Sequence, residues 1–545
     1  MSRKLVLIFF SIFLISAFLR LYNISEIPPG VNRDEASIGY TAYSLLHTGK
    51  DEYGRFLPFS FESFGDWKLP FYIYSVVPFV KALGLNSLAV RLPSAILGIS
   101  SVVLTFFLIR LLFRNNTLSL LTMFLVAISP WHIHLSRVES ESNAAVFMII
   151  VATVLFLLSL KKKRWLIIPS AFFFALTYFT YAGNHIFTTL LILGLAFIYR
   201  PSLKIEKYTI AAVIVFGVMT GTIFYHTLLG ADATKLSGIS IFGDPSIVHT
   251  KIEIPRNEHE NPQSFLSKIL HNKATFALER VGQNYLNSFS AEFLFIKGGE
   301  NKAHNIINFG NVYLIEAPFL LFGLIYLVVF KKGKEKKLIL LWLFIAPIAT
   351  SITKDAPHTN RIFAIFPILP FIVACGIYWM FKDGIKENLG KVFALALILL
   401  FTLNFALYID RYYVHFPRNE GQSWGTGYEK LVEYLSTENN RPGKVVISRQ
   451  QYSPYIYLLF YGKYDPASYQ RMVVRYPPTK DQFVHVKSFD RYEFREINWV
   501  EDVKLPNTLL VDWTENIPES VRVNAIKNEI FLSSGESMLT IVKTK

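Results

Sequence analysis

The sequence predicts an α-helical polytopic membrane protein with about eleven transmembrane helices and a small carboxy-terminal extracytoplasmic α/β domain. Three observations carry that expectation: 52% of the 545 residues are apolar, only 17% are charged, and the apolar residues gather into long stretches. A soluble chain carries nearer a quarter charged residues and a disordered one few aromatics, whereas 48 Phe, 28 Tyr and 8 Trp occur here. Stretches of about 20 apolar residues match the hydrocarbon thickness of a bilayer. The single cysteine, Cys375, excludes an intramolecular disulfide and a multi-thiolate metal site.

Charges and Pro/Gly breaks place spans near 5–22, 88–112, 118–134, 143–160, 165–182, 185–199, 208–226, 312–330, 338–353, 361–381 and 391–409. With Arg3 and Lys4 cytoplasmic, alternate short loops carry nineteen basic groups against four acidic ones, among them Lys161-Lys162-Lys163-Arg164 and Lys382, Lys386 and Lys391. Such a bias sets orientation through the positive-inside rule. The net charge of +15 therefore has a topological origin, and no nucleic-acid partner is expected. No small-residue cleavage pattern follows the first apolar run, so it is read as a span rather than a signal peptide. Residues 1–410 form the membrane domain and 411–545 the outer domain, with long outer loops at 23–87 and 227–311; the chain is expected in the cell membrane, multi-pass, with its amino terminus cytoplasmic.

Within the first outer loop, Asp34 precedes a helical pattern that ends at Gly49, and Lys68-Leu69-Pro70 opens a second apolar helix through about Lys81. Both are too short to span, and their aromatic content suits the headgroup layer. The second loop predicts an amphipathic helix around 262–288. Beyond 410, Lys444–Ser448, Thr508–Asp512 and Met538–Val542 read as strands, with a helix near 427–437.

The chain lacks a P-loop, GxGxxG, HExxH, GxSxG and an Asp-x-Asp pair, so a soluble nucleotide donor is not expected. Ionisable residues instead stand at the outer ends of spans. Asp34 is a candidate general base toward an acceptor hydroxyl, with Glu35 beside it, because a carboxylate at a membrane face can be tuned for proton transfer. The competing reading makes Asp34 a helix N-cap. Arg137, Glu139 and Glu141 follow the third span, where such charges are costly unless paired or facing a cavity. Lys68, Arg137, His358 and Arg361 are candidate ligands for a lipid phosphate, with headgroup anchoring the alternative for Lys68, His358 and Arg361 and a hairpin-pinning carboxylate pair the alternative for Arg137. His259, His271 and His304 show no metal-ligand spacing. No cofactor is required by these residues, and a divalent metal is neither called for nor excluded.

Asn32-Arg33-Asp34-Glu35-Ala36 after one span, Lys68-Leu69-Pro70 between short helices, and Ser136-Arg137 through Glu141 after the third span resemble the GT-C glycosyltransferases. Within that superfamily the chain is most similar to the branch containing protein O-mannosyltransferases and lipid A aminoarabinose transferases. The resemblance implies transfer of a sugar, with inversion, from a polyprenyl-phosphate carrier to a protein, lipid or glycan acceptor outside the membrane. It implies that Asp34 is the acceptor-activating base supported by Glu35, and that Lys68, Arg361 and His358 meet the carrier phosphate. Glu141 or Glu139 would take a place where many relatives have Asp. The competing functions are a transporter or flippase of lipid-linked sugar, for which repeated halves and mid-span charges are the signature, and an inactive membrane scaffold.

Overall fold

The computed structural model describes residues 2–161, 163–229, 240–244, 246–384, 387–437, 443–449, 453–479, 483–524 and 526–544; Lys162, Lys386 and part of the second outer loop lie outside the described residues. Contacts divide the chain into two compact units. One comprises Met1–Arg20, Ile96–Ser136 and Ser140–Tyr408, the other Leu21–Ala95, Arg137–Glu139 and Ile409–Lys545. Composition puts the boundary at 410, whereas packing groups the first outer loop with the carboxy-terminal residues.

Seven described helices are long and apolar enough to cross a membrane: Arg3–Leu21, Ser87–Phe113, Glu141–Lys161, Ala182–Ser202, Lys207–His226, Phe363–Lys382 and Leu389–Asn419. The expected span at 118–134 is a bent pair, Asn116–Ile128 and Pro130–Arg137, at 57° to each other. Counting that pair gives eight, where the sequence pattern predicts about eleven. The remaining candidates are short or broken. Arg164–Phe179 and Leu314–Phe330 fall below span length, and Lys334–Ile345 stops just before Pro347, with a single turn at Ile348–Ser351 following. A hydropathy window runs across such breaks because proline and a one-residue kink barely lower its mean.

The break at Ser129 leaves main-chain carbonyls without helical partners, and Arg20 supplies donors. Its Nη1 donates to Ala127 O at 3.0 Å, its Nη2 donates to Val126 O at 3.2 Å and lies 2.9 Å from His132 Nδ1, and the side chain is fully buried. In the same unit, helices Ala317–Phe330 and Ile368–Trp379 meet backbone to backbone: a Cβ at Gly323 would overlap Ile372 O, and one at Gly376 would overlap Phe319 O. Small residues permit such approach in lipid, where packing replaces the hydrophobic drive.

In the second unit a two-stranded hairpin, β1 (Phe61–Ser63) and β2 (Asp66–Lys68), lies in the first outer loop. The carboxy-terminal residues supply β3 (Lys444–Ile447), β4 (Val474–Arg475), β5 (Val486–Phe489), β6 (Tyr492–Phe494), β7 (Thr508–Trp513), β8 (Ile526–Phe531) and β9 (Ser537–Lys543). They form one sheet in the order β4-β5-β6-β3-β7-β9-β8, with β3 parallel to β6 and β7 and the other pairs antiparallel. Val446, Leu510, Ile517 and Val542 form an apolar cluster in it. The interfacial helices appear as Arg33–Thr48, closed by Gly49 at φ 68°, and Pro70–Leu83. The amphipathic stretch splits at His271 and Asn272 into Phe265–Leu270 and Lys273–Asn287, because Asn272 caps the second helix.

Where the first loop meets helices Tyr455–Tyr461 and Pro466–Met472, the contact is polar as well as apolar. Glu52 is 1% exposed and its Oε1 accepts the Tyr455 hydroxyl at 3.0 Å. Arg475 Nη2 donates to Glu52 O at 3.1 Å, and the guanidinium lies 4.0 Å from the centre of the Tyr53 ring. Burial pushes the Glu52 carboxyl up to about 7, outweighing Arg475 and the tyrosine hydroxyl. An unfolded glutamate titrates near 4.5. Glu52 thus favours the folded state fully below about pH 4.5, and that contribution is lost as pH rises through 7. The detergent-solubilised protein is expected to unfold at a lower temperature at pH 8 than at pH 5.5, with Glu52→Gln flattening the difference. An unchanged slope in the variant would assign the dependence to other groups.

Candidate active site

Asn32-Arg33-Asp34-Glu35 opens the helix Arg33–Thr48. The Asn32 side-chain oxygen accepts the Glu35 N–H at 2.9 Å, and Glu35 Oε2 accepts the Asn32 N–H at 3.2 Å. This reciprocal capping box corrects the reading of Asp34 as the N-cap: Asn32 fills that position. Asp34 presents a carboxylate that is 45% exposed, and Lys68 Nζ donates to its Oδ1 at 2.8 Å. Lys68 ends β2, paired with Phe61 of β1, so the hairpin fixes where its stem leaves the backbone.

Glu35 points the other way and is fully buried. Its two oxygens receive Arg91 Nε at 2.9 Å, Arg91 Nη2 at 2.9 Å, the Asn32 N–H and the Glu139 N–H at 3.1 Å. Arg91 is also fully buried and donates to the carbonyls of Ile24 at 2.9 Å, Pro28 at 3.0 Å and Gly30 at 2.6 Å. Gly30 has φ +63°, and a Cβ there would stand 2.6 Å from Trp424 O, so only glycine fits this turn. Glu35 is therefore a structural acid that fixes the start of the helix bearing Asp34.

Arg137 is engaged with main-chain carbonyls and tyrosine rings. It is fully buried, its Nη2 donates to Ile27 O at 2.9 Å and Asn23 O at 3.3 Å, and its guanidinium lies 5.6 and 5.2 Å from the ring centres of Tyr412 and Tyr413. These contacts hold the 23–27 turn. Glu139 is half-buried and enters the Glu35 network through its main chain.

The other candidates lie in the first unit. Glu141 is the first residue of helix Glu141–Lys161, where a carboxylate offsets the open N–H groups. Arg361 forms an ion pair with Asp355 and donates from Nη1 to Thr353 Oγ1 at 2.9 Å. His358 Nε2 is 3.8 Å from Asp355 Oδ2, and its ring centre is 5.2 Å from that of His304. Burial, reinforced by the Arg361 charge, holds the His358 imidazole down to about 4. At pH 7 it can offer a phosphate a hydrogen bond but no positive charge. His259 and His271 face each other with Nε2 atoms 2.9 Å apart; among the described residues no three His, Cys, Asp or Glu side chains converge on one point.

Two residues of the Asp34 environment escape the sequence reading. Asn32 is signalled by its three-residue spacing to Glu35, the mark of a capping box. Arg91 is signalled by its position as a lone cation in the first turns of an otherwise apolar helix, Ser87–Phe113.

Residues 10–225 match the family model described as dolichyl-phosphate-mannose-protein mannosyltransferase. A Bacillus subtilis protein named as a mannosyltransferase, YkcB, is 28% identical over 176 residues, covering 32% of this chain and 23% of that protein. The chain thus matches less than a quarter of that relative's length. The fold is similar to ArnT from Cupriavidus metallidurans bound to undecaprenyl phosphate, with a TM-score of 0.53 and 11% identity over 100% of this chain and 98% of that one. It is also similar to the oligosaccharyltransferase AglB from Archaeoglobus fulgidus in complex with an inhibitory peptide and a dolichol-phosphate, with a TM-score of 0.50 and 14% identity over 84% and 64% of the two chains. At such identities the structural likeness is one of fold. The amino-terminal family match and this shared fold make the chain similar to the GT-C glycosyltransferases.

Proposed function

We propose that this multi-pass membrane protein transfers a sugar from a polyprenyl-phosphate carrier to an acceptor hydroxyl at the extracytoplasmic face, with inversion. The observation that carries this reading is the Asp34–Lys68 pair, a half-exposed carboxylate and an ammonium 2.8 Å apart, on a helix start whose next residue is locked by buried donors. ArnT with undecaprenyl phosphate and AglB with dolichol-phosphate support a lipid-phosphate donor for this fold. The bias of basic loops supports a cytoplasmic amino terminus and an outer location for residues 411–545.

The acceptor oxygen attacks the anomeric carbon from the side opposite the phosphate. Its proton passes to an Asp34 oxygen while the carbon–oxygen bond to the carrier breaks, and the electron pair leaves on the phosphate. A phosphate leaving group needs electrostatic stabilisation more than acid catalysis. Lys68, paired with Asp34, stabilises the departing charge; Arg361 and the neutral His358, in the other unit, are further candidate donors to a lipid phosphate. The second acid proposed is Glu139 or Glu141, with the role of orienting the acceptor.

Three outcomes test this. Membranes carrying Asp34→Asn should transfer labelled sugar from polyprenyl-phosphate at least about 100-fold more slowly than wild type at equal expression; an unchanged rate would remove Asp34 as base. Lys68→Met should raise the KM for the donor more than the KM for the acceptor. Arg91→Met leaves Glu35 buried without its cation and should cost about 3–5 kcal/mol of stability. Adding Glu35→Gln to it should restore part of that loss in thermal unfolding.

A further inference from the structure

We propose that a second, non-catalytic site binds the headgroup of an anionic phospholipid in the leaflet opposite the one that holds Glu141. A cavity of about 450 Å³ is lined by Arg110, Leu111, Arg114 and Lys161. Lys161 is the last residue of the helix that Glu141 begins. At 1.5 Å per residue its 21 residues span about 30 Å, the thickness of the hydrocarbon core.

The cavity is formed where two helix carboxyl ends meet. Lys161 Nζ donates to Leu111 O at 2.9 Å, and Arg110 Nη1 donates to Arg114 O at 3.3 Å. These contacts settle the stems of the cations around the opening. Arg114 has φ 51°, so an arginine occupies a left-handed position at a conformational cost that glycine would not carry. Three cations and no acid line the space. Among the described residues none of the three is in an ion pair, whereas nearby Arg164 is held by Glu206.

Loop topology explains basic residues near this face but not their convergence on a concavity without acids. Guanidinium groups offer paired donors suited to phosphate oxygens, and basic pockets at the cytoplasmic ends of membrane helices suit anionic headgroups. Phe107, one turn before Arg110 on the same helix, is 49% exposed. The cationic opening thus has an exposed aromatic ring one turn away along the helix for an acyl chain to lie against, which favours a lipid over free phosphate.

The test uses the full chain in nanodiscs of phosphatidylcholine doped with phosphatidylglycerol of the same acyl chains, with native mass spectrometry after release. Wild type should retain phosphatidylglycerol in excess of its share of the bilayer. Arg110→Gln/Arg114→Gln/Lys161→Gln should lose that excess, with about fivefold weaker retention per cation removed. Lys331→Gln/Lys332→Gln/Lys336→Gln, with the same charge loss in another basic loop, should keep it. Equal loss in both triple variants would reduce the effect to net charge and overturn the site. Displacement of phosphatidylglycerol by millimolar inorganic phosphate would reassign the cavity to a free anion. If the triple variant fails to fold, Arg114→Gln alone, with a photoactivatable phosphatidylglycerol cross-linked to the chain, gives the same decision: labelling of Leu111 or Phe107 is expected, and labelling elsewhere overturns the proposal.

Discussion

The buried pair of Glu35 and Arg91 is the constraint on which the start of the helix bearing Asp34 rests. Two charges withdrawn from water are costly unless their remaining donors and acceptors are filled. Here the carboxylate takes two guanidinium hydrogens and two main-chain N–H groups, and the guanidinium also reaches three carbonyls of the 24–30 turn. Each partner comes from a different stretch of chain, so the network satisfies itself only when the turn, the helix start, residue 91 and residue 139 are all in place. Trp424 lies over the guanidinium at 5.7 Å and extends the same dependence to the carboxy-terminal residues. Asp34 inherits its position from this arrangement, since the helix that carries it has little freedom left at its first turn.

Arg20, Arg91 and Arg137 are all fully buried and all donate to main-chain carbonyls. The common cause is irregular backbone close to lipid. Where a chain turns or breaks near hydrocarbon, water is not at hand for its carbonyls, and an arginine with five donors can serve several at once. A lysine has three donors on one centre and lacks the planar fork, which separates these three from Lys68 and Lys161.

Much of this was legible in the sequence. Long apolar stretches gave the helices, Gly49 ended the first outer helix, Pro70 opened the second, and alternating β-branched residues marked β3, β7 and β9. The number of spans was not legible, because Ser129 and Pro347 change direction without changing hydropathy. Asp34 and Lys68 emerged from their place at an apolar boundary, and the structure brings them together. The division of labour between Asp34 and Glu35 did not emerge, since adjacent acids look alike until the helix turns them by about 100° to opposite environments. The partners of Arg137 were not legible for a related reason: a cation beside a span advertises burial without naming the carbonyls of Ile27 and Asn23 that it meets.

The bend between Asn116–Ile128 and Pro130–Arg137 bears on how the chain is built as well as on how it stands. Arg20 leaves the ribosome 106 and 107 residues before the carbonyls of Val126 and Ala127 that it serves. Three helices, Arg33–Thr48, Pro70–Leu83 and Ser87–Phe113, are made in between, while within its own helix Arg20 Nη1 has Ser16 O and Ser16 Oγ as acceptors. The bent segment then adds two carbonyls from a distant part of the chain, so the full set of contacts of this one side chain is complete only once residue 127 has been made.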